Sequence, residues 1–308
     1  MIYRPLFILA PPRSFTSVTC AMIGNHPQMF GLAETNLFAA DTIDDLLRLY
    51  RIRPRMQHGL VRSIAELAFS EQSEETVNVA KMWLEEHRTV ATGDVFKDLC
   101  AWGAPRCLID KSPIYVYSAR SLSRIRNAFP DARYLHLLRH PRSTCESIYK
   151  MRQEVNERSQ LARTLLERRR SRMLESNPEV ELTPESMWLK PRLRILEHLE
   201  QIPSNCKMTL HGEELLSHPG LYLAQIAEWL GIRHDPPAIE AMMHPEQSPF
   251  ASYGPNNARL GNDPGFMENP ELRPFQAKPY NLEDPLSWNP ELKFSELVRD
   301  YALLFNYG

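Results

Sequence analysis

A chain of 308 residues has room for one large α/β domain or for such a domain carrying a helical insertion. Its 43% hydrophobic and 24% charged content marks a globular chain, and a net charge of −2 offers no bulk attraction to nucleic acid or to an anionic membrane. The five cysteines are odd in number and form no CxxC pair, and the N-terminal apolar run is too short for a membrane span or a signal-peptide core. Reduced thiols and a cytoplasmic setting are therefore expected.

The first element organises the rest. Leu6 to Ala10 is an unbroken apolar run, the pattern of a strand buried on both faces. Pro11-Pro12 stops it, Arg13-Ser14-Phe15-Thr16-Ser17 forms a loop, and Val18 to Ile23 predicts a mainly apolar helix closed by Gly24-Asn25. Strand, tight loop and helix aim unpaired N–H groups and the positive end of a helix dipole at one point, which suits a phosphate or sulfate. Arg13 adds a forked cation, and Ser14, Thr16 and Ser17 add hydroxyl donors. Hydroxyl residues at a helix start also serve as caps, so this stretch alone supports either reading. GxxxxGK[ST] is absent, which argues against an ordinary ATPase or GTPase.

Glu34 follows in an apolar context, either as a helix-start charge or as a base. Three helices are expected next: Thr42 to Tyr50, His58 to Phe69 and Ser73 to His87, each with one apolar face, so that residues 41 to about 92 form a helical layer by the sheet. His58 opens the second of these, by default as a surface histidine. Arg106 to Asp110 reads as a buried strand followed by Lys111-Ser112-Pro113, and Tyr115 to Phe129 as a helix. Arg133 to Leu138 is another strand, followed by Arg139-His140-Pro141 and a helix from about Pro141 to Met151. This alternation implies parallel pairing by right-handed crossovers. Ligands in such sheets sit beyond the C-terminal strand ends, so Arg13, Lys111 and Arg139 should converge on one edge as an anion site. Ser147, eight residues after Arg139, falls about two turns into the last of these helices.

Residues 150–173 carry eight basic against three acidic side chains, a solvated helix face or a docking site for an acidic partner. A helix from Thr183 to Leu199, a last strand from Cys206 to His211, and helices at 213–216 and 221–230 follow. Nine prolines then fall in residues 245–290, too many for regular structure and suited to an ordered lid. A final helix is expected over Leu292 to Phe305.

Taken together these residues resemble the sulfotransferases that use 3′-phosphoadenosine 5′-phosphosulfate (PAPS). Pro12-Arg13-Ser14-Phe15-Thr16-Ser17 is similar to their 5′-phosphosulfate loop, with Phe15 where glycine is usual. Arg139-His140-Pro141-Arg142 with Ser147 resembles their 3′-phosphate signature, and Asp110 to Pro113 with Phe129 to Arg133 matches the middle of the family core. Glu34 lies 21 residues after Arg13, the interval of the catalytic glutamate in the tyrosylprotein branch, but Asn36 stands where that branch has an arginine. The GxxGxxK motif of cytosolic small-molecule members is absent. Gln57 to Leu60, Gly254-Pro255 and Gly261 to Asp263 further resemble sulfotransferase domains of polyketide synthases, which act on a β-hydroxyacyl chain held by an acidic acyl carrier protein.

The resemblance implies a P-loop-like three-layer α/β fold with a central parallel sheet, one sulfotransferase domain over residues 1–308, and sulfuryl transfer from PAPS to an alcohol, with PAP as product and no metal. It implies Glu34 as base with His58 as second candidate, Arg13 and Lys111 as charge stabilisers, Ser14, Phe15, Thr16 and Ser17 around the 5′-phosphate, Arg139 and Ser147 on the 3′-phosphate, and His211 on the adenine side. A nucleotide or small-molecule kinase with a degenerate P-loop, sulfation of a small-molecule or peptide hydroxyl, and a non-catalytic module sensing a phosphorylated nucleotide are the alternatives.

Overall fold

A computed structural model describes the backbone of residues 3–166 and 183–307, and the side chains of those ranges except 155–166. The basic segment from Arg158 to Arg172 lies outside the described side chains.

Among the described residues five strands form one wholly parallel sheet: β1 (Leu6–Leu9), β2 (Met29–Gly31), β3 (Cys107–Asp110), β4 (Arg133–Leu138) and β5 (Lys207–His211). Their order is β2-β3-β1-β4-β5. The order makes β1 central, with β3 on one side and β4 on the other. The chain therefore reverses its direction of travel across the sheet at β1, where a crevice opens at the carboxyl ends. Every residue of β1 is buried, as its apolar run requires.

The helical layer forms from α2 (Ile43–Ile52), α3 (His58–Phe69) and α4 (Glu74–Glu86), after α1 (Thr16–Gly24). Thr42 and Ser73 cap α2 and α4 through their side chains. A fourth helix not expected from the sequence, α5 (Thr92–Gly103), follows this layer. Its buried Val95, Phe96, Leu99 and Cys100 have helical spacing and join an aromatic cluster with Phe7, Phe38 and Phe129. The helix expected over Tyr115 to Phe129 divides: a 3-10 turn over Pro113–Tyr117, then α6 (Ala119–Ala128), capped by Ser118. β2 is the second departure, since a three-residue strand is too short to show a period.

Helix α7 (Pro141–Leu166) outruns its expected end. A π-helical turn at Glu185–Leu189 leads into α8 (Lys190–Glu200), and α9 (Gly212–Ser217), α10 (Pro219–Leu230) and α11 (Pro236–Met242) follow β5. The proline-rich segment is largely irregular, broken by the short α12 (Pro264–Glu268), and α13 (Glu296–Leu304) closes the chain. Among the described residues no helix is long and apolar enough to cross a membrane.

Candidate active site

The loops after β1, β3 and β4 carry Arg13, Lys111 and Arg139, and the strand order sets the other two on either side of Arg13. The loop after β1 owes its shape to two left-handed residues, Arg13 (φ 63°) and Phe15 (φ 60°). A non-glycine residue held there costs backbone energy, on the order of 1–3 kcal/mol. Packing offsets that cost at Phe15: its ring lies 5.5 Å from Phe275, and the Arg139 guanidinium stands 4.2 Å from its centroid. The aromatic face thus adds a brace to this cation that glycine would not supply.

Arg139 is pinned on three sides. Its Nε donates to Ser143 Oγ at 3.0 Å, its guanidinium reaches the carbonyl of Arg13, and its own carbonyl accepts from Trp188 Nε1 and Arg192, both at 2.9 Å. Arg13 Nε donates to Ser147 Oγ at 2.9 Å, so the two signatures read in the sequence meet in space. A cavity of about 390 Å³ opens over Arg13 to Ser17, Arg139 and Ser147, with residues 263–275 as its far wall. Ser14 is fully buried in this loop, and its Oγ has no partner among the described residues.

On the other side of the loop lies a second cavity of about 480 Å³. Arg13, Thr16, Ser17 and Asp263 line both, so the cavities meet at the loop. Glu34 faces only the second, whose other walls include Met56, Ile114, Tyr117 and Leu260.

Lys111 joins the parts together. It is 1% exposed and lines neither cavity, and its Nζ donates to Ser17 Oγ (2.9 Å), Glu34 Oε1 (2.8 Å) and Asn262 Oδ1 (2.6 Å). An ammonium has three N–H groups, and all three are engaged. These contacts make Lys111 an organising charge: it ties the anion loop, the carboxylate and the proline-rich segment together. Beneath it, fully buried Asp110 accepts from Thr35, Ser112 and Tyr115 hydroxyls at 2.6–2.8 Å. Burial pushes its carboxyl above the usual carboxylate range, against the opposing pull of those hydrogen bonds.

Asn262 and Asp263 are the residues whose contacts the sequence concealed, since they lie roughly 150 and 250 positions from their partners. Asp263 forms an ion pair with Arg13 and caps Phe266 N–H. Gly261 (φ 118°) brings its carbonyl to Glu34 N–H at 2.7 Å, and a Cβ there would come 2.7 Å from Gly59 Cα. A Cβ on Gly59 would overlap the Glu34 carbonyl. Both glycines are needed for this close approach.

Two candidate residues stand apart. His58 accepts the Leu260 N–H at Nδ1 (3.2 Å), lines neither cavity, and is held below the ordinary imidazole pKa first by burial and then by nearby cations. His211 ends β5 with its ring 4.7 Å from Tyr307 and lines neither cavity.

With this geometry in view the comparisons are decisive for kinship. Residues 5–236 match the model of the sulfotransferase family. The chain belongs to that family. Among solved structures it is similar to the sulfotransferase domain from the curacin biosynthetic pathway, at 22% identity and a TM-score of 0.74, covering 100% of this chain and 99% of that one. It is likewise similar to the sulfotransferase domain from the olefin synthase of Synechococcus PCC 7002, at 22% identity and a TM-score of 0.68, covering 97% and 96%. Both likenesses show the shared P-loop-like fold. No curated protein matches the chain. Family membership favours sulfuryl transfer over the kinase reading.

Proposed function

We propose that the chain transfers the sulfuryl group of PAPS to an alcohol, with the β-hydroxyl of an acyl chain on an acyl carrier protein as the acceptor. The observation that carries this is the meeting of two cavities at the Arg13 loop, with a carboxylate facing only one of them. The first cavity takes the nucleotide. Arg13 and the Ser14, Thr16 and Ser17 hydroxyls hold the 5′-phosphosulfate, and the Ser14 Oγ, without a partner among the described residues, fits a phosphoryl oxygen. Arg139, braced by Phe15, and Ser147 hold the 3′-phosphate. The second cavity takes the alcohol.

In the reaction the acceptor oxygen attacks sulfur, the bond from sulfur to the bridging oxygen breaks, and PAP leaves with that electron pair. Glu34 receives the acceptor proton. Lys111 fixes one carboxylate oxygen and so aims the other. Arg13 and the helix N-terminus stabilise charge on the departing phosphate. The required positive charge comes from these side chains and N–H groups, and the proposal includes no metal. His58 is retained as the second candidate base, although its contact with Leu260 favours bracing the segment that bears Asn262. Residues 245–290 act as the lid. The carrier-bound acceptor is carried by the sequence resemblance and agrees with the biosynthetic settings of the two structural neighbours.

The test is transfer from PAPS to a 3-hydroxyacyl carrier protein, read by intact mass. Wild type should add one sulfuryl group, and Glu34→Gln should slow turnover by roughly two to four decades while PAP affinity is kept. Turnover unchanged in that variant would remove Glu34 as base. PAPS left intact with every alcohol tried would refute the transfer.

A further inference from the structure

We propose that the acceptor carries an anionic group remote from its reacting hydroxyl, and that Arg53 and Arg55 recognise it. The proposal rests on the reading of the second cavity as the acceptor site. Among the described residues five charged side chains line that cavity: Arg13, Glu34, Arg53, Arg55 and Asp263. Asp263 is paired with Arg13, and Glu34 with buried Lys111, so each carboxylate already has its own cation. Arg53 and Arg55 are exposed, and among the described residues neither guanidinium has an ion pair or a hydrogen bond. The cavity thus has two positive charges left over, both on one wall.

The wall that carries them is anchored. Arg53 and Arg55 flank Pro54 at the start of a 3-10 turn over Pro54–Gln57. Asn36 Nδ2 donates both to Met56 O in that turn (3.0 Å) and to Glu34 O (3.3 Å). One buried amide therefore ties the arginine turn to the segment bearing the carboxylate, which fixes the reach from the hydroxyl end to the anion end. Met56, Ile114 and Leu260 supply apolar surface in the same cavity. The occupant that fits has a hydroxyl at Glu34, an apolar middle and a phosphoester or carboxylate at the arginines, since guanidinium groups pair with either in a forked geometry.

The test is calorimetric titration of the PAP-saturated protein with two matched pairs: pantetheine 4′-phosphate against pantetheine, and 8-hydroxyoctanoate, whose hydroxyl and carboxylate stand at opposite ends of an apolar chain, against its methyl ester. One anionic member should bind about three- to thirty-fold tighter than its neutral counterpart, between the strength of an exposed ion pair and that of a charge-assisted hydrogen bond. The pair that shows the gap tells phosphoester from carboxylate. R53Q/R55Q should close the gap without changing PAP affinity, because neither arginine lines the first cavity. R53K/R55K should keep part of the gap, which a collapsed turn would not. Equal binding within both pairs, or a gap that survives R53Q/R55Q, would overturn the proposal. A wild-type protein that binds no PAP would count against the nucleotide reading instead, and the same gap would then be read on the free protein.

Discussion

Phe15 stands where the family usually has glycine, and the structure shows what the substitution does. The residue keeps the left-handed backbone that glycine would take freely, and its ring becomes the platform under Arg139. Phe15→Leu retains the backbone demand and removes the π face. It should weaken PAP binding by about three- to ten-fold, the worth of one partly desolvated cation–π contact, with little change for AMP, which lacks the 3′-phosphate. Equal losses for PAP and AMP would mean that the ring shapes the loop rather than supporting Arg139. The identity of Arg13, Glu34, Arg139 and Ser147 as candidates was legible in the sequence because each follows a strand or keeps a fixed interval. That Lys111 would be a buried hub was not legible, because exposure depends on what folds over it, and Asn262 folds over it from a distant segment.

Elements explain why Glu34 is where it is. Its segment lies between α3 and the 261–263 turn, and Gly59 and Gly261 let the two backbones approach. Gly59→Ala should force the Glu34 segment to move and destabilise the protein by about 1–3 kcal/mol, the usual cost of overpacking a tight contact. The loss of turnover should exceed what the unfolded fraction explains, and comparing urea midpoints with kcat at a temperature where the variant is folded checks it. A variant with wild-type kcat would show that the approach is not needed for catalysis. The helices of this layer were legible from their apolar faces. The strand β2 was hidden by its length, and the 3-10 turn at Pro113–Tyr117 by running into the pattern of α6.

For the whole molecule, the sheet order brings three cation-bearing loops to one edge, and alternating strands and helices announced that much. Which strands are neighbours was left open by the sequence, and the pairing of β1 with both β3 and β4 is what sets Lys111 and Arg139 on opposite sides of Arg13. The interior also sets a pH dependence. His136, His140 and His198 are buried, and burial first of all pushes their pKa values down to about 3, 4 and 4. The unfolded chain binds protons at these imidazoles near pH 6.5 while the folded chain does not, so stability is full above that pH and falls as pH drops toward 4. Each contributes at most about 1.4 kcal/mol per pH unit. Asp110 acts in the opposite sense, since its raised carboxyl favours the folded state on protonation, and it offsets one histidine at most. Urea midpoints should therefore be lower at pH 5.0 than at pH 7.5, and equal midpoints would show that these rings are protonated in the fold. The central claim, that this edge is built for a nucleotide carrying both a 5′- and a 3′-phosphate, is tested most directly by calorimetric titration with PAP beside AMP and Mg-ATP. The account predicts tight binding of PAP alone, lost to about the level of AMP in Arg139→Ala. Binding of PAP no tighter than AMP, or a preference for Mg-ATP, would contradict it.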